Sequence, residues 1–153
     1  MKTTAFRTLV LGTPWRNLTY CIIETDEGIS GIGEAGLNIR AHAVLGAFRH
    51  LEPQIVGQDP ARIEHLWQLM FRGGFFPGGN VVSSAISAID IALWDIKGKR
   101  LGVPIYELMG GKTRDRVRCY MHVHGVTVEA LAKDAVAKAK QGFTAVRFSP
   151  WGP

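Results

Sequence analysis

The sequence has little cysteine, two residues in 153. Cys21 and Cys119 lie in apolar runs, Tyr20-Cys21-Ile22-Ile23 and Arg118-Cys119-Tyr120-Met121, and form neither a Cys-x-x-Cys pair nor a disulfide framework. Both are expected to be buried free thiols. Proline is also scarce, and with 46% apolar residues this excludes a disordered or collagen-like chain and implies a packed core. Long hydrophobic runs are absent. The most apolar stretch, Val81 to Ile96, is too short for a bilayer and is interrupted by Asp90 and Asp95. The start, Met1-Lys2-Thr3-Thr4-Ala5-Phe6-Arg7, has no extended apolar region. No signal peptide is expected, and a cytoplasmic location follows by default.

Acidic residues are outnumbered, 13 against 18 basic, for a formal charge of +5. That balance suits nucleic acid or an anionic small molecule. Seven basic residues fall between Lys97 and Arg118, but solvated helix and loop faces account for most such runs. The aromatic residues are scattered and bring no recognition-helix pattern, so neither nucleic acid nor a membrane is an expected partner.

Two rhythms follow one another along the chain. Phe6 to Leu11, Leu18 to Glu24 and Ile29 to Glu34 read as short strands, the last two separated by the turn Thr25-Asp26-Glu27-Gly28. Connections this short cannot form parallel crossovers, which predicts a three-strand antiparallel meander. Amphipathic helices are predicted from Ala41 to Ile55 and from Pro60 to Phe71, with Asp59 as the N-cap of the second. A third, Val82 to Leu101, is apolar around most of its circumference and should be deeply buried. On it, Asp95 and Lys99 have the spacing of an ion pair, and Asp90 needs a polar partner if buried.

After Pro104 to Gly111 the pattern becomes strand Val117 to Val123, helix Val128 to Gln141 and strand Phe143 to Phe148, with Thr127 as N-cap and Gly142 as the stop. This is a βαβ unit with parallel strands. Parallel strands occur in sheets covered on both faces, and one such unit offers a single helix. The expectation is therefore the first part of a longer protein, with residues 1–113 as an α+β domain and 114–153 opening an incomplete (β/α)8 barrel. A small α+β domain completed by oligomerisation is the alternative.

Three residues of the second region could carry chemistry. His122 and His124 share one face at the C-terminal end of their strand, where barrel enzymes place functional groups. A His-x-His pair there suits a zinc amidohydrolase, in which the metal generates hydroxide; two polar residues at a strand end, one of them on substrate, is the plainer reading. Arg147 lies in an apolar strand expected to be buried on both faces, so its charge needs a partner. It could hold a carboxylate by two hydrogen bonds, depress the pKa of an adjacent acid, or form a structural salt bridge. Gly31-Ile32-Gly33-Glu34 is no dinucleotide site, because no helix opens directly after it. Arg72-Gly73-Gly74-Phe75-Phe76-Pro77-Gly78-Gly79-Asn80 lacks the Lys-Ser/Thr ending of a P-loop and reads as a connector.

The central helix, Ala85-Ile86-Ser87-Ala88-Ile89-Asp90-Ile91-Ala92-Leu93-Trp94-Asp95-Ile96-Lys97-Gly98-Lys99, continued by Pro104-Ile105-Tyr106-Glu107-Leu108-Met109-Gly110-Gly111, resembles the enolase superfamily, mandelate racemase branch. The resemblance extends to Gly31-Ile32-Gly33-Glu34 and covers nearly the whole chain. It implies a capping domain on a barrel whose mouth binds Mg2+ and a carboxylate substrate, with a base removing the proton next to the carboxylate. The metal ligands of the family come from later barrel strands, so none is expected here.

Within the branch, Leu37-Asn38-Ile39-Arg40, Tyr120-Met121-His122-Val123-His124-Gly125 and Ala145-Val146-Arg147 look most like the mannonate dehydratase group of acid-sugar dehydratases. Asn38 and His122 match substrate-contacting positions, with His124 a further candidate contact where the group usually has Asn. Arg147 matches an arginine that assists a catalytic tyrosine from a later loop. The Lys-x-Lys of the racemases is replaced by Arg147-Phe148-Ser149. The resemblance thus implies a Mg2+-dependent dehydratase converting an aldonate into a 2-keto-3-deoxy acid, as a homo-oligomer; another hexonate or a pentonate fits as well as mannonate. A non-catalytic binding domain, motivated by charge alone, is the remaining alternative.

Overall fold

The computed structural model describes residues 1–37, 39–76 and 78–149. It divides into two compact units, Met1–Gly111 and Lys112–Pro153. In the first, β1 (Thr3–Gly12), β2 (Asn17–Thr25) and β3 (Ser30–Ala35) form an antiparallel sheet in the order β1-β2-β3. Alternation decides which face is covered: Thr19, Cys21, Ile23 and Thr25 of β2 are buried, and the residues between them are not. Helices α1 (Ala41–Ile55), α2 (Ile63–Arg72), α3 (Asn80–Leu101) and the short α4 (Ile105–Leu108) follow.

Helix α3 is the centre of this unit. Ala85, Ile86, Ala88, Ile89, Ala92, Leu93 and Ile96 are buried on it and share a core with Ile23, Val44, Phe48, Leu51, Ile55 and Leu66. Its approach to β3 explains the Gly-x-Gly sequence. A Cβ at Gly31 or Gly33 would overlap the carbonyl oxygens of Ala92 and Ala88, so the glycines serve helix-to-strand packing. Asp95 accepts the Ile32 N–H at 3.1 Å, and Lys99 reaches both Asp95 and the Ser30 carbonyl at 2.7 Å. The expected ion pair thus also clips the helix to the strand.

The second helix starts later than its sequence suggests. Asp59 Oδ1 accepts the Ala61 N–H at 3.0 Å and the Asp59 carbonyl accepts from Arg62 at 3.1 Å. Asp59 and Pro60 therefore make a separate turn, and α2 begins at Ile63 behind Arg62, with no side-chain cap.

In the second unit, β4 (Met121–His122) pairs in parallel with β5 (Val146–Arg147), and α5 (Val128–Lys140) connects them. Thr127 caps α5, its hydroxyl accepting the Ala130 N–H at 3.2 Å. Two expectations are corrected here. The strands are much shorter than the apolar runs that suggested them, and β5 is exposed on both faces, Val146 on one, 42% accessible, and Arg147 on the other. Cys119 is exposed, while Cys21 is buried. The cause is common: two strands and one helix cannot cover an apolar run on both sides.

Candidate functional site

The parallel register of β4 and β5 sets the geometry. Met121 N–H donates to the Ala145 carbonyl at 3.2 Å and Val123 N–H to that of Arg147 at 2.9 Å, which makes His122 and Arg147 direct partners across the pair. Partners in a parallel pair present their side chains to the same face, on strands about 4.8 Å apart. His122 and Arg147 are therefore neighbours on one exposed face. Alternation adds Tyr120 and His124. The Tyr120 and His122 rings stack with centroids 5.5 Å apart, and those of His122 and His124 lie 6.4 Å apart.

Arg147 forms no salt bridge among the described residues, so the structural ion pair considered for it has no carboxylate there. Guanidinium and imidazoles together make a face of donors suited to an anionic, hydroxylated ligand. At the other end of the strand pair Arg118 holds Thr144, through Nε to the hydroxyl at 2.8 Å and Nη2 to the carbonyl at 2.6 Å. Sequence reasoning did not single out Arg118, and an arginine in a basic run gives no sign of such a role. It also passed over Asp134, which accepts the His124 backbone N–H at 2.9 Å.

Asn38 lies outside the described residues. Ile39 beside it has φ 57°, a backbone conformation costly for a β-branched residue, in the turn between β3 and α1.

The donor set does not suit Mg2+. That ion takes oxygen ligands in a near-octahedral arrangement, whereas this face offers imidazole nitrogens and a guanidinium. Among the described residues no three His, Cys, Asp or Glu side chains come together as a metal-ligand set. Other titratable groups belong to the fold. Burial pushes the Cys21 thiol up to about 12, against weaker backbone hydrogen bonds, leaving it an unreactive core residue. Burial and then the Glu64 charge raise the Asp90 carboxyl above its ordinary value.

The family model for the mandelate racemase / muconate lactonizing enzyme N-terminal domain matches residues 10–110. The chain belongs to that family. In this mandelate racemase family member, the meander and the helices that follow make the capping domain, and the βαβ unit comes after it. Similar curated proteins include D-galactonate dehydratase of Verminephrobacter eiseniae, 48% identical over 144 residues, covering 94% of this chain and 37% of the relative. The D-galactonate dehydratase of Ralstonia nicotianae is 53% identical over 125 residues, covering 82% and 32%. Among solved structures, an enolase from Pantoea ananatis with bound D-gluconate and Mg aligns with a TM-score of 0.91 at 39% identity, over 97% of this chain and 36% of that one. The chain thus spans about a third of the length of the curated relatives it matches. No helix among the described residues is long and apolar enough to cross a membrane.

Proposed function

We propose that the protein carrying this chain is an acid-sugar dehydratase. It removes the proton next to the carboxylate of an aldonate and expels the neighbouring hydroxyl as water, giving a 2-keto-3-deoxy acid. The observation that carries this reading is the alignment of His122 with Arg147 on one exposed sheet face. The family membership and the dehydratase relatives support it.

Each group has a part suited to its chemistry. Arg147 is the catalytic residue of this chain: its fixed positive charge depresses the pKa of an acid/base group brought beside it and favours the ionised form. His122 exchanges hydrogen bonds with substrate oxygens, and His124 and Asn38 extend the contact. These residues orient the polyol, so that the carbon acid faces its base without a search among rotamers. On this reading the base and the metal ligands come from later barrel strands of the full-length protein. Mg2+ as the cofactor is supported by the D-gluconate- and Mg-bound relative.

D-Galactonate and D-gluconate are the first substrates to supply, because relatives are named for or bind them; D-mannonate and pentonates complete the panel. The same reading takes the enzyme as a cytoplasmic homo-oligomer, with exposed Trp15, Phe75 and Phe76 as apolar surface available for cover. The test supplies each aldonate to the full-length protein and follows 2-keto-3-deoxy acid. Formation with at least one aldonate, lost on chelation and restored by Mg2+, is expected. Turnover of none, or hydrolysis of an amide or ester with zinc at His122 and His124, overturns the reading.

A further inference from the structure

We infer that Asp134 is a positioning residue for His124, fixing the end of β4 so that the imidazole meets the substrate; this rests on the aldonate reading, which makes His124 a substrate contact. Successive N–H groups of a strand point to opposite edges. Those of Met121 and Val123 face β5 and are satisfied there, so the His124 N–H turns to the other edge. Asp134 Oδ2 accepts it at 2.9 Å, from a helix ten residues further along the chain. A carboxylate on a backbone N–H is among the stronger hydrogen bonds available to it.

Asp134 is itself held. Its other oxygen faces Lys138, one turn along α5, at 3.9 Å, and both side chains are about three-quarters covered. A charge serving only to solvate the helix would stand out in water instead. The loop between His124 and α5 has two further fixed points. A Cβ at Gly125 would lie 2.6 Å from the Leu131 nitrogen, so the chain passes directly against the helix there. Thr127 then caps α5. The backbone at His124 is thus fixed on both sides, and its orientation sets the Cα–Cβ direction of a ring lying 6.4 Å from that of His122.

The test uses the full-length protein with Asp134→Ala, Asp134→Asn, His124→Ala and the Asp134→Ala/His124→Ala pair. Asp134→Ala is expected to raise KM for the aldonate about tenfold while leaving kcat within about twofold, the signature of lost binding geometry. Asp134→Asn keeps an acceptor oxygen and restores KM to within about twofold. In the His124→Ala background the Asp134→Ala change adds less than about twofold, because the residue it acts through is gone. An equal KM penalty with and without His124, an Asn variant as impaired as the Ala variant, or no KM change on Asp134→Ala overturns the proposal.

Amide hydrogen exchange at His124 separates this from the function itself. It should accelerate at least about tenfold in Asp134→Ala whatever the substrate proves to be. Unchanged exchange rules out the positioning role even if an aldonate is turned over. Faster exchange in a protein that turns over no aldonate upholds the structural link and removes the dehydratase reading.

Discussion

The two units of the chain solve different problems. Met1–Gly111 holds every buried apolar side chain among the described residues except Val123, arranged around one helix packed on a sheet. Lys112–Pro153 holds His122, His124 and Arg147, all exposed, and is fixed by discrete polar contacts: Arg118 on Thr144, Asp134 on His124, Thr127 on Ala130. Stability in the first unit comes from burial, at about 25 cal/mol per Å2 of apolar surface. The contacts described in the second are local hydrogen bonds, each contributing only about 1 kcal/mol. Substitutions should therefore separate stability from chemistry according to the unit they fall in.

The largest effect expected is on chemistry with no effect on folding. Arg147→Ala in the full-length protein should lower kcat for the aldonate about a thousandfold, the scale of the general acid–base catalysis that its charge supports. Arg147→Lys should recover only part, because a point charge does not reproduce the guanidinium fork. The melting temperature should stay within about 2 °C, since Arg147 has no ion-pair partner among the described residues. A large fall in melting temperature would place Arg147 among structural residues and erase the contrast.

Gly33→Val tests the other half. The new side chain would overlap the Ala88 carbonyl and force α3 away from β3, at an expected cost of about 3 kcal/mol. Denaturant unfolding measures it. A change below about 1 kcal/mol would mean that the sheet yields easily and that close packing is not what the glycine serves.

How much of this was legible in the sequence follows the same division. The meander and α1 are readable because burial imposes a period, two on β2 and near 3.6 on α1, that is written into residue choice, and α3 because its apolar run is too long for a strand. The start of α2 is not, because Asp59-Pro60 has the composition of a cap and first turn yet forms a turn of its own. Cys119 misleads for a different reason. An apolar neighbourhood in sequence becomes burial only where a second layer covers it, and two strands with one helix do not supply that layer. His122 and Arg147 could be singled out as polar residues in apolar strands, but their register needed the backbone. Asp134 was passed over because acceptance of a backbone N–H leaves no mark in sequence.

The smallest expected effect tests whether local contacts really hold the second unit. Glu129 sits in the first turn of α5, and its carboxyl is held below its ordinary value by its own backbone N–H and by Thr127. A carboxyl with a depressed folded-state pKa adds stability above its unfolded-state value and loses it as pH falls through the folded value. Acidification from neutral should therefore loosen the start of α5 only below the ordinary carboxylate range, visible as falling amide protection at Ala130 and Leu131. Thr127→Ala removes the cap, for about 1 kcal/mol, and should shift the Glu129 titration, followed by carbon NMR, back towards the ordinary value. The buried core of the first unit has no stake in either change, so amides of α3 should keep their protection. Loss of protection in α3 together with α5 would mean that the two units unfold as one, and that burial in the first also supports the site in the second.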